Sequence, residues 1–467
     1  MESSSENNYF HLEPFIHQVG GHSSMLCLDQ ATVCKPLVPR ELQFYETLPD
    51  SVRRFIPKFY GVVKVRVVQE EGYVTLIATP PECYKPIHAN DKSSRIRMRR
   101  SGSIEVDSNV KGLFHEDQSE AGTSGNMGTR KEMALNPWVL KCHRTQLQEL
   151  VANIHADSSE PNFILLENLT CKFTFPCILD LKMGTRQYGD AASLTKKQSK
   201  MFKVVSTTSG KLGVRIGGMQ VYQVTSQRFL CRNKFYGRSL SVAGFQQALR
   251  QFLHNGIKLR SDVLPPLIRR LEELVYVLGQ QDAVRFYTTS LLLLYEGDDF
   301  HSGTSSTVYD FDKARVKSLQ QDSQVSLSTH DHDEGLMRND CMGGRLSRRS
   351  SSAETLSAML DQSFDCFLSA PENSHKSPTG TYHRRSSSTA TCEDIKVNSP
   401  SSFEATSVPS SPLLTPEPLV DVRIIDFAHS THKGLGDPVL YSGPDRGFLF
   451  GLENMIALLK GIDRDHG

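Results

Sequence analysis

Two polar segments divide this sequence and set the strongest limit on how it can fold. Residues 88–135 are poor in apolar side chains and rich in Ser, Gly, Arg and Asp, and residues 301–418 carry serine runs such as RRSSSAET and HRRSSSTAT. Such segments bury too little apolar surface to offset the entropy of ordering the chain, so we expect both to be disordered. The remaining folded core, roughly 300 residues, consists of residues 10–87, 136–300 and 419–465.

Short motifs in the polar segments are typical of protein kinase substrates. A serine or threonine follows an arginine pair or precedes a proline at Ser101, Ser350, Ser386, Ser377, Ser399, Ser411 and Thr415. These motifs predict phosphorylation, and we expect the serine-rich inserts to bind protein kinases and other protein partners.

Charge and cysteine usage exclude several classes of protein. With 53 basic and 52 acidic residues the chain has no net charge that would attract nucleic acid. No run of eighteen apolar residues could span a membrane, and the N-terminus lacks the pattern of a secretory signal. None of the ten cysteines forms a CxxC pair, which is typical of reduced thiols in a cytoplasmic or nuclear protein.

The three core pieces differ in hydrophobic pattern. Residues 10–87 alternate as antiparallel strands do, with one helix-like stretch at 41–48. Residues 136–300 begin with a helix, continue through strands that include FLCRNKFYGR, and end in the apolar strand SLLLLYEG. The last piece supplies the strand VDVRIIDFAH and a closing helix. We expect the strands on either side of the long insert to pair within a two-lobed α+β protein.

The stretch PCILDLKMG carries the most informative chemistry. Asp180 and Lys182 are two residues apart at the end of an apolar strand, so their side chains share one face. Gly184 follows and permits a close approach of the backbone. A carboxylate beside an ammonium group suits a metal-bound phosphate, because the carboxylate can meet magnesium or a hydroxyl and the lysine can meet a phosphoryl oxygen.

The spacing PxxxDxKxG, from Pro176 to Gly184, resembles the signature of the inositol polyphosphate kinases. The longer string LDLKMGTRQ is similar to the inositol hexakisphosphate kinase branch of that family. GGHSSM, CKP, FYE, NPW, LLEN, GMQVY, RNK-YGR, IDFAHS and GPDRG occur around it in the family's order. One departure is TSLLLLYEG, where Thr289 replaces the first serine of the family's SSLL box and Ser290 keeps the second hydroxyl.

The resemblance implies a protein-kinase-like (ATP-grasp-like) fold, with a small antiparallel β lobe, a larger α/β lobe and long disordered inserts. Residues 10–87 would form the nucleotide-binding lobe, residues 136–300 the lobe with the hinge and the catalytic motif, and residues 419–465 its completion. The implied cofactors are ATP and Mg²⁺.

The resemblance also implies roles for the residues around the nucleotide. GGHSSM would cradle the phosphates and Lys35 would reach them, paired with either Glu41 or Glu46, between which the sequence does not choose. Backbone groups of a hinge would hold the adenine, Asp426 would bind Mg²⁺ as the DFG aspartate of protein kinases does, and Asp180 and Lys182 would be catalytic. The hinge residues are Glu167, Asn168 and Leu169.

A basic stripe beside the catalytic strand indicates the acceptor. Lys196, Lys200 and Lys203 repeat with helical spacing, and Lys197 is adjacent. The other candidates for acceptor binding are Lys182, Arg186 and His429. So many cations fit a substrate with many phosphates.

We therefore expect an inositol hexakisphosphate kinase that forms a diphosphoinositol pentakisphosphate. Two alternatives stay open. The first is a kinase for a hydroxyl of a lower inositol phosphate, and the second is a phospho-regulated scaffold on an inactive kinase fold. The sequence also leaves open whether Asp180 serves the ribose, the metal or as a general base.

Overall fold

The fold is known from a computed structural model. It describes residues 9–21, 23–81, 84, 96–99, 103–106, 114–116, 132–133, 136–156, 160–298 and 417–465, which lie in one compact unit. The predictions for residues 301–416, with their phosphorylation motifs, and for Ser101 fall outside the described residues. Among those described, no helix is long and apolar enough to cross a membrane.

Two sheets organise the described residues, with strands numbered in chain order. The first contains β1 (Phe10–Pro14), β2 (Leu26–Cys27), β3 (Thr32–Pro36), β4 (Phe59–Glu70), β5 (Tyr73–Thr79), β6 (Ile96–Arg99), β7 (Ile104–Val106) and β10 (Asn162–Glu167). The second contains β8 (Phe114–Glu116), β9 (Glu132–Met133), β11 (Pro176–Met183), β12 (Val214–Gln223), β13 (Arg228–Arg232), β14 (Ser290–Glu296) and β15 (Val420–Ile425).

Helices flank both sheets. They are α1 (Pro39–Thr47), α2 (Asp50–Arg53), α3 (Pro137–Ala156), α4 (Leu194–Val205), α5 (Thr208–Leu212), α6 (Lys234–Ser239), α7 (Val242–Phe252), α8 (Leu264–Gly279) and α9 (Arg446–Arg464). The described residues also contain two 3₁₀ turns, Ser261–Val263 and Lys433–Leu435.

The first sheet has the order β1-β2-β3-β10-β4-β5-β6-β7, and β5 also pairs with β1, so six of its strands close into a ring. Strand β10 lies antiparallel between β3 and β4. The small lobe therefore takes a strand from the piece at 136–300, which the sequence predicts to belong to the larger lobe. The four central residues of this strand, FILL, are apolar and buried, which suits a position within the sheet.

The second sheet has the order β15-β14-β11-β12-β13-β8-β9, antiparallel except where β13 meets β8. The α+β, two-lobed prediction is confirmed. The prediction that the strands flanking the long insert pair is also correct, because β14 and β15 are antiparallel neighbours. The prediction that residues 88–135 form only a disordered insert is wrong in part, since β6 and β7 extend the first sheet and β8 and β9 the second.

One predicted strand is partly a helix. FLCR forms β13, but the following KFYGR forms α6, because the side chain of Asn233 accepts hydrogen bonds from the N–H groups of Phe235 and Tyr236. Such a cap satisfies donors that otherwise have no partner in the first turn and so starts the helix. Because α6 is a helix and not a strand, residues four apart in this segment lie on one face.

An aromatic contact joins α1 to the segment after β15. Phe44 of α1 stacks on Phe427, which follows β15, with ring centroids 4.7 Å apart, and both side chains are fully buried. Tyr45 meets the same ring edge-on at 5.3 Å. This contact fixes α1 of the small lobe against the segment that follows the last strand of the larger lobe.

We predict that Phe44→Ala lowers the free energy of unfolding by about 3–5 kcal/mol, because it leaves a cavity against Phe427. Tyr276→Ala, at a helix position that is 70% exposed, should change it by less than about 0.5 kcal/mol. Denaturant unfolding of both variants measures the difference, and equal effects would contradict the central place of this aromatic contact.

Candidate active site

The predicted site residues meet in a cavity of about 410 Å³. Its walls come from the glycine loop (residues 19–21 and 23–24, between β1 and β2), from β3, from the end of β10 and from the face of β11 that carries Asp180 and Lys182. Helices α4 and α6, the start of β12 and the segment after β15 complete the lining. The residues predicted to bind the phosphoryl donor, ATP, and those predicted to bind the acceptor therefore line one continuous cavity.

A chain of ion pairs crosses the cavity. Asp426 accepts hydrogen bonds from the Nζ atoms of Lys35, at 2.9 Å, and Lys182, at 2.7 Å, one on each of its carboxylate oxygens. Lys35 also donates to Glu41 at 2.7 Å. Asp426 has a φ of 69°, a left-handed conformation that costs a residue other than glycine on the order of 1–3 kcal/mol. The two lysines help to hold this strained residue in place.

The structure chooses Glu41 over Glu46 as the partner of Lys35. Glu41 is fully buried, and its Oε1 accepts a second hydrogen bond from the backbone N–H of Phe427 at 3.0 Å. Glu46 is exposed on the other side of α1. The Phe44–Phe427 stack sets this rotation of the helix, so the ion pair and the aromatic contact depend on each other.

These contacts set the charge states. Burial would raise the pKa of Asp426, but the ammonium groups of Lys182 and Lys35 hold it well below its usual range. Burial would lower the pKa of Lys182, yet the carboxylates of Asp426 and Asp180 raise it. The carboxylates of Asp426 and Glu41 likewise raise the pKa of Lys35 against the effect of burial. Asp426, Lys182 and Lys35 are therefore charged at neutral pH.

Asp180 lies in a different environment on the same strand face. It is 2% exposed, and burial raises its pKa. A Cβ atom on Gly20 would lie 2.0 Å from its Oδ2, and one on Gly217 would lie 2.9 Å from its Oδ1, so only glycines fit over and beside the carboxylate. Among the described residues its Oδ1 has no hydrogen-bond partner. A buried acceptor of this kind suits a ligand hydroxyl or a metal-bound group.

The glycine loop covers Asp180 and is held by Gln18. The side-chain amide of Gln18 donates to the carbonyls of Gly20 and Ser23, each at 2.8 Å, and accepts from the N–H of Met25. Gly21 has a φ of +88°, which glycine adopts without strain. The loop therefore has a defined shape over the cavity, as expected for a phosphate cradle.

Gly184 has a different role from the one we predicted. It does not line the cavity; its φ of +84° makes the turn after β11, where it faces the start of α9 at Gly447. The constraint at this position is the turn itself and not the approach of a phosphate.

The predicted hinge, Glu167, Asn168 and Leu169, lines the cavity. The backbone N–H of Glu167 donates to Lys58 O, and that of Asn168 donates to Ala31 O. A bound nucleotide would therefore meet other backbone groups of the segment. The Asn168 side chain fixes the turn, because its oxygen accepts from both donors of Thr170.

The structure brings only part of the basic set to the cavity. Lys196, Lys200 and Lys203 line it from α4, as their spacing predicted, whereas Lys197 lies outside it. Arg186 also lies outside the cavity, because Asp190 and the ring of Tyr287 hold its guanidinium group elsewhere.

His429 lines the cavity and is half-buried. Burial and the charges of Lys196, Lys200 and Arg40 lower its pKa. His429 is therefore neutral at neutral pH, and it can donate a hydrogen bond without adding charge.

Three further cations that the sequence analysis missed also line the cavity: Arg215, Lys234 and Arg238. Arg215 is directly opposite Lys182 in the β11–β12 register, and burial lowers its pKa to about 10. Lys234 and Arg238 are four residues apart on α6. Their spacing became visible only once KFYGR was known to be a helix.

The charged side chains that line the cavity fall into two sets. Lys35 and Lys182 are paired with Asp426, and the lining also contains the carboxylates Glu41, Glu167 and Asp180. The second set, which we call the cationic end, consists of six cations from α4, β12 and α6. A phosphate cradle, a lysine, a strand-end aspartate and a cationic acceptor wall are the parts of a kinase-type phosphotransferase.

Comparison with known proteins gives the particular family. A family model described as inositol polyphosphate kinase matches residues 163–460. Human inositol hexakisphosphate kinase 1 is 37% identical to this chain over 96% of its length and 93% of the relative's. Human inositol hexakisphosphate kinase 3 is 34% identical over 97% and 95%, respectively. The chain belongs to the inositol polyphosphate kinase family and is a phosphotransferase.

Among solved structures, the inositol phosphate multikinase Ipk2 of S. cerevisiae in complex with ADP and Mn²⁺ aligns with a TM-score of 0.42 and 17% identity. The alignment covers 92% of this chain and 99% of that one.

We predict that Lys182→Ala lowers kcat on the order of a thousandfold, because it removes a charge positioned at the transferred phosphate. Lys197→Ala removes the same charge outside the cavity and should leave kcat near the wild-type value. Steady-state kinetics with thermal melting as a folding control measures both. A folded Lys182→Ala variant with near wild-type kcat would remove Lys182 from the reaction.

Proposed function

We propose that this protein is an ATP- and Mg²⁺-dependent inositol hexakisphosphate kinase that produces a diphosphoinositol pentakisphosphate. The observation that carries the proposal is the cationic end of the cavity, where six lysine and arginine side chains converge. A dense polyanion such as inositol hexakisphosphate needs that much positive charge to approach ATP against mutual repulsion. The names of the full-length relatives support the same substrate.

ATP binds at the other end, with its adenine at residues 167–169 and its phosphates under the glycine loop. Lys35 lies on β3 behind that loop and is held by Glu41, which leaves its ammonium group directed into the cavity. When ATP binds, the lysine can contact phosphoryl oxygens without leaving Glu41, because an ammonium group has three donors. The nucleotide is thereby oriented towards Lys182.

The residues fit a magnesium ion that is bound mainly through the nucleotide. Mg²⁺ commonly takes one or two protein carboxylates together with substrate phosphates, and Asp426, ionised and in the cavity, supplies one. Asp180, with its unpartnered oxygen, is the other carboxylate on this side. The ion, when bound, neutralises charge on the phosphates.

The acceptor chemistry requires no general base when the acceptor is a phosphate. An ionised phosphate oxygen of inositol hexakisphosphate attacks the γ-phosphorus, the bond to the β-phosphate oxygen breaks, and ADP leaves. Lys182 neutralises the negative charge on the oxygens of the phosphoryl group that is being transferred. The Asp180 carboxylate then serves the nucleotide, through the ribose hydroxyls or through the metal, and it does not have to remove a proton.

A second candidate, phosphorylation of a ring hydroxyl of a lower inositol phosphate, is favoured by one observation. Burial raises the pKa of Asp180, as a general base near a hydroxyl would require. The two candidates differ in product, since a ring hydroxyl gives a monoester and a phosphate gives a diphosphate. We also propose a cytoplasmic and nuclear location and regulation by protein kinases and other partners through the serine-rich segments, a proposal supported by the sequence motifs.

The deciding experiment incubates the purified full-length protein with ATP, Mg²⁺ and either inositol hexakisphosphate or a lower inositol phosphate, and identifies the products by anion exchange and ³¹P NMR. A β-phosphorus signal of a diphosphate from the hexakisphosphate supports the proposal. Turnover of the lower inositol phosphate alone would favour the hydroxyl kinase.

We predict that the triple variant Lys196→Ala, Lys200→Ala, Lys203→Ala raises KM for inositol hexakisphosphate on the order of tenfold or more, with a much smaller change in KM for ATP. Lys197→Ala is the matched control, on the same helix but outside the cavity. Added salt should imitate the loss in the wild type, because it screens exposed charges. Equal changes in both KM values would place the acceptor elsewhere.

A further inference from the structure

The single tryptophan of this chain, Trp138, lies in the first turn of α3, next to the catalytic cavity but outside it. Its backbone N–H is capped by the side chain of Asn136 at 3.0 Å, which fixes where α3 begins. Nothing in the reaction described above uses this residue. Its contacts nevertheless reach both ends of the cavity.

On the donor side, the indole Nε1 of Trp138 donates to the carbonyl oxygen of Gly21 at 3.3 Å. Gln18 ties the glycine loop from within, so Trp138 supplies a tie from a different element. The same helix contacts the loop again where Ser24 Oγ lies 3.4 Å from Nδ1 of His143. Burial lowers the pKa of His143 to about 4, so this contact is made by a neutral ring. Helix α3 therefore braces the loop at two points.

On the acceptor side, the ammonium group of Lys234 lies over the indole ring, 4.8 Å from its centroid. Phe235, the next residue of α6, meets the ring edge-on at 6.4 Å. A cation held over the face of tryptophan is stabilised by the ring quadrupole, and tryptophan does this better than phenylalanine. Lys234 itself lines the cationic end of the cavity.

We propose that Trp138 is a positioning residue that joins the two substrate sites: its N–H holds the glycine loop over the nucleotide phosphates, and its ring holds Lys234 at the acceptor. Because one rigid side chain makes both contacts, a shift of the loop on nucleotide binding moves the surface on which Lys234 rests. Binding at one site thereby changes the position of a side chain at the other site. This inference rests on the proposed function in placing the nucleotide under the loop and the polyphosphate at Lys234.

The first test measures the tryptophan fluorescence of the wild-type protein, which comes from Trp138 because the sequence contains one tryptophan. Titration of the full chain with MgADP should change the emission saturably, and titration with inositol hexakisphosphate should do the same. The MgADP dissociation constant should also change when inositol hexakisphosphate is saturating. If the protein turns over ATP but MgADP does not change the tryptophan fluorescence, the inference is overturned.

The second test separates the two contacts by kinetics. Trp138→Phe keeps an aromatic ring for Lys234 but loses the N–H, so KM for ATP should rise by about three- to tenfold with little change in KM for the acceptor. Trp138→Leu loses both contacts, and both KM values should rise. Lys141→Gln removes the other cation near the ring, 5.8 Å from its centroid and outside the cavity, and should change neither.

A purely structural role predicts a different pattern. Trp138→Phe would then lower the melting temperature and the active fraction and leave both KM values unchanged, which would overturn the proposal. Failure of the proposed function is distinguishable, because it appears as a wild-type protein that does not turn over inositol hexakisphosphate. The MgADP titration does not depend on that acceptor.

Discussion

The rest of the site depends on one carboxylate, Asp426, held between two ammonium groups. Lys35 comes from the first sheet and Lys182 from the second, so the pair of hydrogen bonds joins the lobes at the point where phosphoryl transfer would occur. The strain of a left-handed aspartate persists because these bonds and the packing of Phe427 determine its position. Without bound ATP the lysines neutralise the carboxylate, and with ATP bound they are placed to neutralise phosphate instead.

Sequence periodicity predicted the parts of the site that depend on a single element. Asp180 and Lys182 share a face because strands alternate, and the α4 lysines share a stripe because helices repeat near every fourth residue. Both patterns are local, and the structure places them as expected at the cavity. The sequence also predicted that a long polar segment separates the last strand from the rest of its sheet, because an apolar strand lies on each side of that segment.

Sequence periodicity could not predict the features that depend on packing between elements. The choice of Glu41 over Glu46 follows from how Phe44 rotates α1 against Phe427, which lies nearly 400 residues away in sequence. Lys234 was missed because one capping asparagine turns an apparent strand into a helix. Gly184 was assigned the wrong constraint, because its backbone conformation serves a turn that the sequence alone did not reveal.

The pairing of β14 with β15 has a consequence for how this protein can vary. Glu296 N–H bonds to Leu419 O, so the chain leaves and re-enters the sheet at adjacent positions. The entropy of closing a loop grows only with the logarithm of its length, so doubling the intervening sequence costs about 0.6 kcal/mol. The register that delivers Asp426 to Lys182 is thus nearly independent of how long that sequence is. The length and the sequence of the segment between β14 and β15 can therefore change during evolution while the catalytic geometry stays the same.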